Sequence, residues 1–376
     1  MELYASSSLL IGNLILAHAL AAVAAGAAFM LAEKGINEQS VWRRRLYGIV
    51  AVAFFLMGLL IYQPAAMFFC VFAAIVLLKS DISWPSFLQR LRWHGAIMSI
   101  GLLLGFGVSK WGAAAYKDEL FGPPRARLTG DISSKMSWFV QEPLLCTLNF
   151  MNLFPRWWIS VGMAFFIIGG VMLYFHGAIK ERLWKVLMCC FLIPISYLPN
   201  LVAAENWAAY RTQSALAALV AVYVFFALWG YGRTVTRSRS ILTVTTVLCV
   251  IAWISVLWAR HNVKTYFAHP QVLELAWLHH QLVQVDFSHI KSISIIRSRG
   301  EDLLAPASRY DEFGFPSSAA AWVPKPMVYL LLREMQPQWA DLPIETVSPN
   351  GPFSPPANAL VIDMRNIATA RSGLRQ

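Results

Sequence analysis

Leu46–Leu78 reads LYGIVAVAFFLMGLLIYQPAAMFFCVFAAIVLL, an unbroken apolar run. A helix that crosses a bilayer needs about 20 mainly apolar residues, so this run is too long for one ordinary span. Tyr62-Gln63-Pro64 is where it can divide. Proline removes a backbone donor and disfavours helix in the residue before it. The triplet therefore predicts a tight turn between two segments of about 16 residues, short for spans but usable where helices stand upright. One kinked helix is the alternative.

Working outward, further apolar stretches cover Leu9–Leu31, Trp93–Ala114, Trp157–Phe175, Leu183–Val202, Thr212–Tyr231 and Ile241–Trp258. With the central run divided in two, the chain has about eight spans. The alanines and Gly26 of the first stretch suit close helix packing, and Pro194 and Pro199 predict kinks in the sixth. Basic clusters flank these spans: Arg43, Arg44 and Arg45; Lys79, Arg90 and Arg92; Lys180, Arg182 and Lys185; Arg233, Arg237 and Arg239. All fall on one side only if Leu46–Leu78 is two spans. The positive-inside rule makes that side cytoplasmic. The loop 113–155, the link 204–211 and the C-terminal tail are then extracytoplasmic. This topology places Met1 outside, which leads us to expect a cytoplasmic start, one span and an outer loop ahead of it.

Composition agrees with a membrane assignment. Hydrophobic residues make up 57% of the chain, charged residues 14%, and mean hydropathy is +0.53, whereas a soluble domain has about a quarter of its residues charged. The net charge of +11 and pI near 9.6 come largely from the clusters beside the spans, so they speak for membrane orientation and against nucleic acid as a partner. The cysteines (70, 146, 189, 190 and 249) show neither CxxC nor Cys/His spacing, which indicates neither a disulfide framework nor a zinc site. A basic n-region and a cleavage motif are both missing, so a cleaved signal peptide is not expected.

From about Arg260 the composition changes. Helices are predicted over Gln271–Val285 and Met327–Met335, and strands over Ser292–Ile296 and Leu360–Ile362. Loops rich in Gly and Pro, Phe313–Pro316 and Ser348–Pro356, join them. The expected fold class is thus mainly α: a polytopic membrane helix bundle over 1–259 with a small extracytoplasmic α/β domain over 260–376. That domain, at roughly 110 residues, is long enough for a modest core.

The polar interruption from Ala113 to Pro155 gathers the candidate chemistry. Arg125, Arg127 and Lys135 can clamp a phosphate through charge-assisted hydrogen bonds. Asp118, Glu119, Asp131 and Glu142 are candidate general bases; a solvated loop is the plainer use of all these charges. Met136–Phe154 and the Trp157-Trp158 pair suit a helix lying in the membrane interface. A charge at the bilayer centre costs about 2.5–3.5 kcal/mol, so Glu205 and Arg211 in the link belong at the water interface or in a polar cavity. Tyr62 and Gln63 lie at the same expected face. His279 and His280, adjacent on one helix, diverge and do not indicate a metal site. The C-terminal stretch contains no GxSxG, phosphate-binding glycine loop or HExxH; Arg309-Tyr310-Asp311-Glu312-Phe313-Gly314 is its most distinctive polar string.

Several strings occur together: Tyr62-Gln63-Pro64; Asp131, Lys135 and Trp138-Phe139 followed by Glu142-Pro143-Leu144; Leu198-Pro199-Asn200 leading to Glu205-Asn206-Trp207 and Tyr210-Arg211; and Tyr310–Gly314. From about residue 46 onward this pattern resembles the membrane-embedded, GT-C-like glucosyltransferases of the serotype-converting, O-antigen-modifying kind. The resemblance implies transfer of a glucosyl group at the outer face of the bacterial inner membrane. The donor would be polyprenyl-phosphate-linked and the acceptor a surface polysaccharide such as the O-antigen of lipopolysaccharide, with membrane lipid around both and no cofactor or metal. A carboxylate would deprotonate the acceptor hydroxyl while cations stabilise the departing lipid phosphate. On this chain the catalytic candidates are Asp131 and Glu142. The substrate-binding candidates are Arg125, Arg127, Lys135, Tyr62, Gln63, Glu205 and Arg211. One departure stands out: the family usually carries its catalytic acid in the first large outer loop, and here Met1–Ser8 offers only Glu2.

Two other classes compete. A non-catalytic or truncated polytopic protein that binds or moves a lipid-linked glycan would favour charges in mid-span, which are nearly missing here. The other is a different outer-facing membrane transferase, such as a phosphate-group or acyl transferase; a histidine in the membrane or an outer loop would favour acyl transfer. His18 and His94 are so placed, but neither has a partner recognisable in the sequence.

Overall fold

The computed structural model describes residues 2–79, 82–115, 128–150, 157–206, 208–235, 240–299, 316–321, 323–351 and 353–367. The chain forms two compact units, Met1–Ala252 and Trp253–Gln376, and each is described by itself.

The first unit is helical throughout. It runs α1 (Glu2–Asn37), α2 (Val41–Ala66), α3 (Phe68–Leu77), α4 (Trp84–Ala115), α5 (Ile132–Phe139), a π-helical turn (Val140–Leu144), α6 (Leu145–Leu148), α7 (Trp157–Tyr174), α8 (Ile179–Ser196), α9 (Leu198–Val202) and α10 (Ser214–Val235), and enters α11 (Ser240–Asn262). Among the described residues, six helical stretches are long and apolar enough to cross a membrane: Leu16–Asn37, Val41–Ala66, Trp84–Gly112, Trp157–Tyr174, Ser214–Arg233 and Thr245–Val283. Large apolar side chains such as Leu103 and Phe165 stand exposed on them, as lipid-facing positions require. This is the architecture of a helical membrane protein.

Two of the expected spans fall short of those six. The decisive run does break, but unequally. Helix α2 continues past Pro64 to Ala66, with Tyr62 alone leaving helical geometry (φ −161°, ψ 102°), and α3 after Met67 has only 10 residues. Pro64 cannot donate a backbone hydrogen bond, and the helix yields at Tyr62 without ending there. The other is α8, whose first turns carry Lys180, Glu181, Arg182 and Lys185. Pro199 does not kink a span: α8 stops at Ser196 and Pro199 sits in the first turn of α9, where a missing N–H costs nothing.

Small residues set the packing. Ala21, Ala24, Ala25, Ala28 and Ala32 of α1 are buried; their spacing of three and four puts them on one helix face, where backbones can approach closely. Between α7 and α10 the approach is closer still. A Cβ on Gly170 would stand 2.6 Å from the Cβ of Ala227, and Gly230 faces the Gly170 carbonyl.

At one end of this bundle, basic residues tie helix ends to their neighbours. Arg90 of α4 pairs with Glu33 of α1, whose second carboxylate oxygen lies 2.8 Å from His94 Nε2. Lys185 Nζ donates to the Ile82 carbonyl at 2.8 Å, and Arg233 Nη1 lies 3.0 Å from His176 Nε2. The opposite end is built from α5, the π-helical turn, α6, α9 and the link into α10.

In the second unit, α12 (His269–Val283) precedes β1 (Ser292–Ile296), α13 (Pro324–Met335), β2 (Ile344–Val347) and β3 (Ala359–Asp363). The sheet is parallel in the order β2-β1-β3, with Ile293 opposite Ile344 and Leu360. Parallel neighbours need a crossover, and α13 lies within the one joining β1 to β2. Leu278, Leu282, Ile293, Ile295, Val328, Leu332 and Ile362 fill the core. The helices at 271–285 and 327–335 and the strands at 292–296 and 360–362 are all found, with small shifts at their ends; β2 has no counterpart in the sequence reading.

Candidate functional site

The link, described at 203–206 and 208–213, is where several of the sequence candidates meet. Leu128 pairs with Ala203 in an antiparallel bridge, and Thr129 N donates to the Val202 carbonyl at 2.9 Å. This anchors the chain entering α5. Asp131 caps that helix, its Oδ1 accepting from Ser134 N at 2.9 Å, which satisfies one of the donors every helix start leaves open.

Lys135 and Phe139, four residues apart on α5, share its buried face. Phe139 stacks on Tyr197 with ring centroids 5.7 Å apart, amid Leu201 and Leu216. Over its described residues, 136–150, the aromatic stretch expected to lie in the interface as one helix runs through two short helices and a π-helical turn, and it turns Phe139 into the bundle. Lys135 is 4% exposed. Its Nζ donates to the Glu205 carbonyl at 2.6 Å and to Asn206 Oδ1 at 2.9 Å, and lies 4.2 Å from the centre of the Trp138 ring. Desolvation lowers the pKa of this ammonium, and the Glu205 carboxylate works the other way. A buried charge needs such partners, and the indole face adds a cation–π attraction.

Trp138 links this cation to an acid: its Nε1 donates to Glu142 Oε2 at 2.5 Å. Glu142 lies exposed on the π-helical turn, beside Pro143, whose missing donor suits that register shift. Below it, Thr147 Oγ1 donates to the Pro143 carbonyl at 2.7 Å and stands 3.1 Å from Oε1 of the buried Gln213.

The second half of the cluster lies where the link enters α10. The His18 ring packs 4.9 Å from that of Tyr62, and His18 Nε2 is 3.1 Å from Ser214 Oγ. That hydroxyl also lies 3.3 Å from the Arg211 carbonyl. His18 and Ser214 are separated by 196 positions, so no local signal in the sequence could have joined them.

The candidates thus divide. Asp131, Lys135, Glu142 and Glu205 belong to the α5 side of the link, Tyr62 and Arg211 to the α10 side, and Gln63 is exposed. Glu205 meets Lys135 through its backbone carbonyl and not through a carboxylate oxygen. Arg125, Arg127, Asp118, Glu119, Trp207 and Arg309–Gly314 lie outside the described residues. Among the described residues, no three of His, Cys, Asp and Glu gather as metal ligands. Chemically, the cluster offers a held cation, an indole face, the exposed residues Asp131, Glu142 and Glu205, and an imidazole–hydroxyl pair. Compared with family models, curated proteins and solved structures, the chain matches none.

Proposed function

We propose that this protein transfers a glucosyl group from a polyprenyl-phosphate-linked donor to a surface polysaccharide such as O-antigen, at the outer face of the bacterial inner membrane. One observation carries the reading. Segments far apart in sequence, around Tyr62, Asp131–Glu142 and Glu205–Arg211, meet along the link at one end of the membrane-length helices. A lipid-linked donor keeps its chain in the bilayer and its phosphate at the interface, so its site belongs at such an end.

In the proposed reaction, the acceptor oxygen bonds to the anomeric carbon as the bond from that carbon to the lipid phosphate breaks. The acceptor proton passes to a carboxylate. Asp131 and Glu142 are both exposed and each has one carboxylate oxygen in a local hydrogen bond; we assign the role to Glu142 because its indole donor is the ring that faces Lys135. Lys135, with Arg125 and Arg127, would offset the charge that develops on the leaving phosphate.

The test is transfer of labelled glucose from polyprenyl phosphate to lipopolysaccharide in membrane vesicles. The wild type should transfer, Glu142→Gln should lose about 10²–10⁴-fold, and Asp131→Asn should retain activity. A wild type that transfers nothing removes the reading. Binding or movement of a lipid-linked glycan without chemistry is the second reading, favoured because both carboxylates already accept local hydrogen bonds. It expects the purified protein to retain labelled donor yet never discharge it.

A further inference from the structure

We propose that Ser214 and His18 form a nucleophile and proton-acceptor pair directed at an acyl ester of a membrane lipid. The proposal does not rest on sugar transfer and uses none of the groups around Lys135.

The geometry supports it at several points. The Nε2 to Oγ separation of 3.1 Å lies within the reach required of a base activating a hydroxyl. Both side chains are half-buried, reachable by a reagent yet partly shielded from water. The Tyr62 ring against the imidazole restricts its orientation. The Arg211 carbonyl is a second acceptor for the Ser214 hydroxyl at 3.3 Å, so the O–H turns from that longer contact to Nε2 for the proton transfer. Ser214 is the first residue of a 22-residue helix, so the positive end of the helix dipole favours negative charge developing beside it. His18 lies on the membrane-length stretch Leu16–Asn37, so the ester in this proposal is that of a membrane lipid.

In the reaction, Ser214 Oγ bonds to the ester carbonyl carbon as its proton moves to His18 Nε2. The carbon–oxygen bond to the leaving alcohol then breaks, and that alcohol takes the proton from His18. A water or a hydroxyl acceptor then attacks the acyl-serine by the reverse proton path and frees Ser214.

The competing use of the same hydrogen bond is to tie α1 to α10. Labelling of the purified full chain in detergent with an alkyl fluorophosphonate separates the two. There the Oγ–P bond forms as P–F breaks, the proton goes to His18, and fluoride leaves. The pair predicts one covalent adduct, mapped to Ser214 by mass spectrometry and lost in Ser214→Ala. His18→Gln can still hydrogen-bond Ser214 but cannot accept the proton. It should slow labelling by about 10²–10⁴-fold with the thermal unfolding midpoint unchanged. A wild type unlabelled at Ser214 overturns the proposal without needing any variant, and so does His18→Gln labelled at the wild-type rate. Neither outcome depends on whether glucose is transferred.

Discussion

Two lysines are buried at opposite ends of the helical unit, and they are held almost alike. Lys185, 2% exposed, donates to the Ile82 carbonyl at 2.8 Å and lies 5.3 Å from the Phe175 ring. Lys135, 4% exposed, donates to the Glu205 carbonyl at 2.6 Å and lies 4.2 Å from Trp138. In both, a carbonyl and an aromatic face offset the loss of water, and a helix is pinned to a neighbouring loop. A buried cation is therefore no sign of a site by itself. What differs is the surroundings. Lys135 also meets the Asn206 amide, and its indole partner holds Glu142. At the Lys185 end, the Arg90–Glu33 ion pair and the Arg233–His176 contact join helix ends to one another or to a loop.

The sharpest break of this comparison is functional. Lys135→Met should reduce glucosyl transfer by about 10²-fold or more, the usual cost of losing a group that stabilises developing charge, while Lys185→Met should leave the transfer rate within twofold. Equal losses in the transfer assay would erase the distinction.

Next in size is a change at the basic end. Glu33→Gln removes the carboxylate shared by Arg90 and His94. It should cost about 1.5–3 kcal/mol, the range for charge-assisted hydrogen bonds, read as lower unfolding stability in detergent with transfer preserved. At the link end, Asp131→Ala should cost about 1 kcal/mol through the lost cap, and Asp131→Asn much less, because asparagine also caps. Chemical denaturation of the two variants in parallel measures the difference.

The smallest effect is one of pH. Burial holds the folded-state pKa of Lys135 below its ordinary value of 10.5. The unfolded chain therefore binds the proton more tightly, and the stability from this group rises as pH climbs from the folded value towards 10.5 and is lost as pH falls. Wild type should gain stability relative to Lys135→Met over that alkaline window, as melting curves at successive pH values would show. A loss there would reverse the sign assigned to burial.

Much of the helical unit was legible because the requirement is local. A run such as Trp93–Ala114 or Thr212–Tyr231 has enough apolar length to be read without knowing its neighbours. The shortfalls are where a neighbour mattered. The break at Met67 depends on how α2 and α3 settle, and the charged start of α8 is accommodated by the Ile82 carbonyl. In the second unit, β1 was legible from SISII, whereas β2 (IETV) is short and half polar. It becomes a strand because Ile344–Val347 pairs in register with Ile293–Ile296. The candidate site was legible as a set of polar residues but not as a set of roles. Asp131 became a cap, Glu205 supplied a carbonyl, and His18 found Ser214.

The sequence by itself determined the apolar lengths of the helices and where basic clusters flank them, because transfer of side chains out of water adds up residue by residue along the chain. The tertiary structure alone decided which polar groups face one another. A hydrogen bond depends on distance and direction at both partners, and those were set by packing that joins positions as distant as Lys135 and Asn206, or His18 and Ser214.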